Sequence, residues 1–338
     1  GVDFNYYQKH TTNLLTLKTF ENPVAGINNY WSNGGSMDNQ GFEVTVTTKP
    51  VVSKDFNIEL GASVGHYVNK IKTLPNDDKI YVDGVKNAQG YTSSIYGTDN
   101  IATIVGQPVG SFYGYKTAGV FATDAQAKAA GNNDYLYYLD ETGAKQYFKA
   151  GDMHFVDINK DGKIDEADKT IIGNPNPDIY GNIFGSVMWK NFTLTLGLNY
   201  SLGNDVYNYS RSVLESGTNF YNQTVAMANR WRHEGQVTDM PRLSYGDPMG
   251  NARFSDRWIE DGSYLRLKTV NISYKVPVKG DWIQGLTIWA EANNLFTITK
   301  YLGSDPEFSA ANGVLYQGID PGNVALSRTF TFGMKINL

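Results

Sequence analysis

Hydrophobic residues recur at every second position through several stretches of the chain. Between residues 191 and 203, Phe192, Leu194, Leu196, Leu198, Tyr200 and Leu202 share one side, while Thr193, Thr195, Gly197, Asn199 and Ser201 share the other. Successive side chains change face in a β-strand, so the pattern predicts a strand with one apolar and one polar face. The same reading fits Phe56, Ile58, Leu60, Ala62 and Val64 against Asn57, Glu59, Gly61 and Ser63. It fits Val270, Ile272, Tyr274 and Val276 against Thr269, Asn271, Ser273 and Lys275, and Phe330, Phe332, Met334, Ile336 and Leu338 against Thr331, Gly333, Lys335 and Asn337. About eight such strands are predicted. They reach the roughly 9–11 residues that a tilted strand needs to cross a bilayer.

The connections alternate in length. Short turns near Pro50–Asp55, Lys190–Asn191 and Pro277–Gln284 separate long excursions at about 11–38, 71–177, 204–262 and 298–325. Compact soluble domains rarely hold structureless loops beyond about 15 residues. Outer-membrane barrels do, with short turns on one side and long extracellular loops on the other. The predicted fold is therefore all-β, a transmembrane antiparallel β-barrel; a soluble β-sandwich with one wet face is the alternative. Within the loops, Thr123-Asp124-Ala125-Gln126 reads as a capping box opening a short helix through Ala130, with Gly131 placed to end it. A second helix is predicted from Asn222 to His233, stopped by Gly235.

Composition narrows the chemistry. The 29 Lys and Arg against 34 Asp and Glu leave a net charge of -5, without a nucleic-acid footprint. No cysteine and only 4 histidines leave little material for thiolate or imidazole catalysis. Aromatic residues make up 13% of the chain, with 23 Tyr, which suits β-structure. No apolar run approaches the roughly 18 residues of a membrane helix. The mean hydropathy of -0.39 does not bear on a barrel, whose alternating faces average to a hydrophilic score. Gly1-Val2-Asp3-Phe4 has neither the basic start nor the apolar stretch of a signal peptide, so a mature chain or a fragment is expected.

One segment has the spacing of a metal loop. Counting from Asp157, oxygen side chains stand at positions 1, 3, 5, 9 and 12 (Asp157, Asn159, Asp161, Asp165, Asp168), with Gly162 at 6 and Lys163 at 7 offering its carbonyl. Calcium is the expected ion in a structural role, although position 12 carries Asp168 where an EF-hand has a longer Glu. Solvated carboxylates in an Asx-turn loop are the plainer alternative. Tyr207, Tyr209, Trp231, Tyr245, Trp258, Tyr301 and Tyr316 lie in or beside the long loops and are candidates for gripping sugars or peptides. Interface girdles and loop packing predict the same residues. Gly61-Ala62-Ser63-Val64-Gly65 matches a nucleophile elbow but sits inside an alternating strand, and the Glu260-Asp261 and Asp305/Glu307 pairs lack anything to hold a substrate, so no catalytic residue is expected.

The wording of the loops resembles the C-terminal part of SusC/RagA-type TonB-dependent outer-membrane transporters. The likeness runs through Asn39-Gln40-Gly41-Phe42-Glu43, Gly106-Gln107-Pro108-Val109-Gly110 with Gly114-Tyr115, Gly151-Asp152 leading into Asp157–Asp168, and Gly173-Asn174-Pro175. It continues through Arg230-Trp231, Arg257 to Asp261, Ser263-Tyr264-Leu265-Arg266-Leu267, Asn293-Asn294-Leu295 and Asp305-Pro306-Glu307. The resemblance implies an arc of a barrel of about 22 strands in the outer membrane of a Gram-negative bacterium, importing oligosaccharides or peptides and not acting as an enzyme. It implies a SusD-like surface lipoprotein as lid, TonB as the energy source and a dimer of such pairs. The plug, the TonB box and the early strands have no counterpart in residues 1–338 and belong to the rest of such a chain. A self-contained eight-stranded barrel acting as an adhesin, or a secreted calcium-stabilised carbohydrate-binding sandwich, are the rivals.

Overall fold

In a computed structural model, residues 1–24, 27–75, 79–82, 85–131, 134–278 and 282–338 are described. The main sheet has eight antiparallel strands: β1 (Val2–Val24), β2 (Ile27–Val52), β3 (Phe56–Thr73), β4 (Ile179–Trp189), β5 (Phe192–Leu202), β6 (Tyr264–Val276), β7 (Gly285–Thr299) and β8 (Thr329–Asn337). Spatial order follows chain order, so each strand pairs with the next. The sheet is open: among the described residues β1 pairs only with β2, and β8 only with β7. That geometry removes the self-contained eight-stranded barrel, which needs its first and last strands joined.

Register carries the predicted alternation from strand to strand. Trp189, Val187 and Gly185 of β4 face Phe192, Leu194 and Leu196 of β5, which face Tyr274, Ile272 and Val270 of β6. Those in turn face Ile288, Ala290 and Ala292 of β7, opposite Met334, Phe332 and Phe330 of β8. One face of the arc is thus a continuous apolar surface, and it is uncovered: Ile272 is 51% exposed and Phe332 80%. A sandwich would bury that face under a second sheet, so the sandwich reading fails on the same observation. Toward the rim of the short turns, Trp189, Phe192 and Tyr274 form a row, with ring centroids 6.4 Å and 4.4 Å apart.

The opposite face is polar and repeatedly sets a glycine beside an aromatic ring. Gly61 pairs with Phe184, Gly65 with Tyr180 and Gly333 with Trp289. A Cβ on Gly61 would stand 2.2 Å from the Phe184 ring, and one on Gly333 2.4 Å from Trp289, so the absent side chain is what lets each ring lie flat across its neighbour.

Turns of a few residues join β2 to β3 and β4 to β5; residues 279–281 of the expected Pro277–Gln284 turn lie outside the described residues. The segments 74–178, 203–263 and 300–328 all leave from the other rim. The loop expected at 11–38 is mostly strand instead, because β1 and β2 run on as a long hairpin whose pairing extends to Val24 and Ile27. Helix α1 (Asp124–Ala130) forms as predicted, with Thr123 Oγ1 accepting from Gln126 N at 3.2 Å. The Gln126 side chain reaches past the cap and accepts from Ala122 N at 2.9 Å. The helix predicted at Asn222–His233 shrinks to a 3-10 turn over Val225–Asn229, while an unpredicted helix, α2, covers Tyr209–Leu214.

The buried core lies in these loops, not in the strands. A five-stranded sheet in the first loop contains Ser111–Tyr115 between Ile101–Ile104 and Lys169–Gly173. A three-stranded sheet joins the second loop (Asp205–Asn208, Ile259–Asp261) to the third (Ile319–Asp320). Ile101 and Phe112, Tyr207 and Trp258, and Ile319 come from three separate loops into one cluster. Burial of such a cluster, at about 1.5–3 kcal/mol per large side chain, locks the loops together.

Candidate functional site

The site is built where the polar face of the sheet meets the loop assembly. In β6, strict alternation from Val270 would send Lys268 and Arg266 to the apolar face. A bulge prevents this: Gly197 and Leu198, adjacent in β5, pair with Thr269 and Leu267, skipping Lys268. Across from it β7 skips Asn294 and Leu295, with Asn294 at φ +54°. One extra residue reverses the faces beyond it, so Leu265 and Leu267 join the apolar side and Arg266 turns inward, 2% exposed. There Arg266 Nη2 donates to Asp305 Oδ1, and its Nε lies 3.3 Å from Glu307 Oε2. Lys268 Nζ also reaches Glu307 at 3.3 Å. Although burial opposes ionisation, the hydrogen bond from Arg266 holds the Asp305 carboxyl below its ordinary range.

Other motifs meet in the same way. Asp152, fully buried, accepts from Arg242 Nε at 2.8 Å and Nη2 at 3.1 Å, and from Asn251 at 3.0 Å. A Cβ on Gly151 would stand 2.4 Å from Trp231, whose indole N–H donates to the Ala122 carbonyl at 3.3 Å. Gly106 N and Gln107 O bond to Ile71, and Val109 N donates to Asn69, tying the first loop to the top of β3. Asn174 N donates to Asp205, which joins the first loop to the second.

Beneath this assembly, Glu43, Ser63, Tyr180, Asn182, Asn199 and Tyr264 line a cleft of about 460 Å³ on the polar face. A second cleft of about 330 Å³ shares Tyr180 and Tyr264 and adds Tyr67, Glu307 and Phe308. Tyr180 donates to Glu43 at 3.1 Å. Together they make a tyrosine-bearing polar trough running from wall to loop. Sequence reasoning missed Tyr67, Tyr180 and Tyr264; for Tyr67 and Tyr180 the signal was available, because an aromatic on the polar side of an alternating strand is out of place, whereas Tyr264 reaches that side only through the bulge at Lys268.

The aromatic residues expected to grip substrate divide into two groups. Tyr207, Trp258 and Tyr301 are buried to 3%, 1% and 5% exposure, and they pack the loop core. Tyr207 donates to the Tyr96 carbonyl at 2.9 Å, and burial pushes its hydroxyl up to about 12. Tyr301 donates to buried Asp320 at 2.6 Å. Tyr209, Trp231 and Tyr316 are half-buried. Tyr245 stands in the open and stacks on Phe220 at 4.9 Å. These side chains do not converge on one surface.

In the Asp157–Asp168 loop, Gly162 adopts φ +82°, the turn that the sixth position requires. Asp157 accepts from Lys160, Asp161 and Gly162 N; Asn159 accepts from Asp161 N; and Asp161 accepts from Lys163 N. Lys163 pairs with Asp165 at 2.5 Å. Asp165 and Asp168 cap the turn Glu166–Asp168 reciprocally. Asp168 is fully buried; burial, with Asp157 and Asp165 nearby, raises its carboxyl to about 6. As the side chains stand, no three carboxylates among the described residues gather around one point. The turn geometry and oxygen set fit a hard cation, and the orientation of the carboxylates is that of an Asx-turn network.

The remaining candidate chemistry is occupied by structure. Ser63 lies within β3 and accepts from Asn182 N at 3.2 Å. Glu260 is held by Arg211 and Asn208, Asp261 by Ser263 N, and Asp305 and Glu307 by Arg266 and Lys268.

No family model matches the chain. Over 352 residues and 99% of its length it is 28% identical to "TonB-dependent receptor P3" of Formosa agariphila, covering 32% of that protein. It is 30% identical to "TonB-dependent receptor SusC" of Bacteroides thetaiotaomicron over 353 residues, again 99% of the chain and 30% of the relative. Among solved structures, the RagAB peptide transporter matches with a TM-score of 0.73 at 22% identity, over 99% of this chain and 33% of that one, a likeness of fold. These relatives are receptors and transporters, and the chain spans about a third of their length. The chain is thus similar, along nearly its whole length, to about a third of these TonB-dependent receptors, and its sheet has the fold of the matching portion of the RagAB transporter.

Proposed function

We propose that this arc is the C-terminal wall of an outer-membrane importer of nutrient oligomers, oligosaccharides or peptides, in a Gram-negative bacterium. The observation that carries the reading is the two-faced open sheet: an uncovered apolar surface suited to acyl chains on one side, a polar trough on the other, and every large loop on one rim. In this reading the loops form the extracellular mouth, a SusD-like lipoprotein covers it, and the open edges of β1 and β8 pair with the remaining strands of a barrel of about 22. TonB would act through a plug contributed by the rest of the polypeptide, and two importer–lipoprotein pairs would associate as a dimer. One solved relative is a peptide transporter, which supports peptides as one of the two classes.

Calcium in the Asp157–Asp168 loop is part of the same proposal, with oxygens from Asp157, Asn159, Asp161, the Lys163 carbonyl, Asp165 and Asp168. Its support is the spacing, the Gly162 turn and the buried Asp168 carboxylate, which has no ion pair among the described residues. Such an ion would stiffen the loop.

The test is uptake. Cells with and without the gene are offered fluorescent oligosaccharides and peptides, before and after a protonophore. Gene-dependent uptake that stops when the proton gradient collapses is expected; gene-dependent uptake indifferent to the gradient rules out active import.

A further inference from the structure

Outside the trough, the loops enclose a cleft of about 570 Å³, within the range of small-ligand sites. Its apolar lining includes Tyr115, Val213 and Phe254, with Tyr207 and Trp258 buried at its floor, and Thr98, Ser212 and Thr218 bring hydroxyls to it. Four charged side chains also line it, and three have partners. Lys169 Nζ is 2.8 Å from Glu166 Oε2, and Asp99 accepts from Thr92 at 3.1 Å.

Arg253 is the exception. Its guanidinium sits among four rings, 4.6 Å from Tyr138, 5.4 Å from Phe155, 5.7 Å from Tyr115 and 5.8 Å from Phe148. Gly250, at φ +66°, makes room for it, since a Cβ there would stand 2.5 Å from Nε. Among the described residues Arg253 makes no ion pair, and its Nη1 is buried without a hydrogen-bond partner. The nearby Asp247 carboxylate already accepts from Asn251 N at 2.7 Å and Ala252 N at 2.9 Å. Aromatic faces attract a cation, but they offer nothing to the in-plane N–H groups, whose preferred partner is a carboxylate.

We propose that this cleft is a subsite for a carboxylate on the ligand, read by the side of the half-buried Arg253 guanidinium that borders it, with the rest of the ligand lying against Phe254 and within reach of the Thr98, Ser212 and Thr218 hydroxyls. The proposal rests on the import reading for its ligand's origin, and it adds a substrate class: oligomers bearing a carboxylate, either a uronate sugar or a peptide C-terminus.

The test is equilibrium binding to the complete protein in detergent, at low and moderate salt. One arm compares a trigalacturonate with a neutral trisaccharide; the other compares a tripeptide acid with its amide. The acid form of at least one pair is expected to bind more tightly than its neutral partner. Arg253→Gln should remove that preference, weakening the acid by about tenfold or more, the scale of one charge-assisted hydrogen-bonded pair; Arg253→Lys should keep part of it. Because Arg253 is packed among rings, Val213→Trp, on the exposed lip of the cleft, supplies a second variant that should block the acid without touching the cage. Equal binding of acid and neutral forms, or an acid preference that survives Arg253→Gln or Val213→Trp, overturns the subsite. Cellular uptake is scored separately: uptake without acid preference overturns only the subsite, and acid preference without uptake overturns only the import reading.

Discussion

At the scale of single residues, the two faces of β5 should respond differently to one charge. Leu196 stands at mid-strand on the apolar face, and Thr195 beside it points to the polar side. Leu196→Arg should cost about 2–4 kcal/mol of folding stability, the midplane price of a cation against acyl chains, and Thr195→Arg much less. Refolding of the two variants into lipid vesicles against denaturant measures the difference; equal losses would mean that the apolar face does not meet lipid. The alternation that places Leu196 is legible in the sequence because the period of two is strict in 192–202. The inward turn of Arg266 is not, because it depends on a bulge at Lys268 that only pairing with β5 and β7 reveals. Arg266→Ala leaves Asp305 buried without its cation, and removing one partner of such a pair costs about 3–5 kcal/mol. The loss should appear as faster protease cleavage within 300–328 while the strands stay protected.

At the scale of elements, the Asp157–Asp168 loop links charge to order. Asp168 titrates near 6 in the folded loop against 3.8 in an unfolded one. Between those values the folded loop keeps a proton that the unfolded loop has lost, so the loop's stability falls as pH rises from about 4 to 6 and stays low above that. A bound cation would supply the missing compensation. Without calcium, protease should therefore cut 150–170 faster at pH 7.5 than at pH 5, and added calcium should erase the difference. Cleavage indifferent to calcium at pH 7.5 would leave only the Asx-turn network. The loop's spacing was legible, as was the cap at Thr123. The helix predicted at 222–233 was not realised, because Trp231 and Met227 are drawn instead to Gly151 and the loop core. Likewise Tyr207 and Tyr301 looked like surface aromatics because sequence distance hides that three loops meet over them.

At the scale of the whole molecule, the decisive feature is that the sheet has two free edges and an uncovered apolar face while its loops have a proper core. Those two halves have different needs. The loop assembly, with clusters around Phe112 and around Phe155, buries its own apolar side chains. The wall cannot do so: β1 and β8 each present a row of unpaired backbone groups, and inside a bilayer every unpaired group costs several kcal/mol. Residues 1–338 by themselves should therefore fail to give a monodisperse monomer in detergent or lipid, pairing edge to edge into higher assemblies. Co-expression with the remaining strands of a related receptor's barrel should rescue a single species. Size-exclusion chromatography with light scattering decides it, and a stable monomer of the isolated arc would show that β1 and β8 can be closed or covered within this chain. The loops should behave otherwise, because their protection against hydrogen exchange arises from the packing of Ile101, Phe112, Tyr207, Trp258 and Ile319 and not from barrel closure. Those amides should exchange slowly in both the isolated arc and the rescued barrel, while the edge amides of β1 and β8 slow only when the barrel is complete.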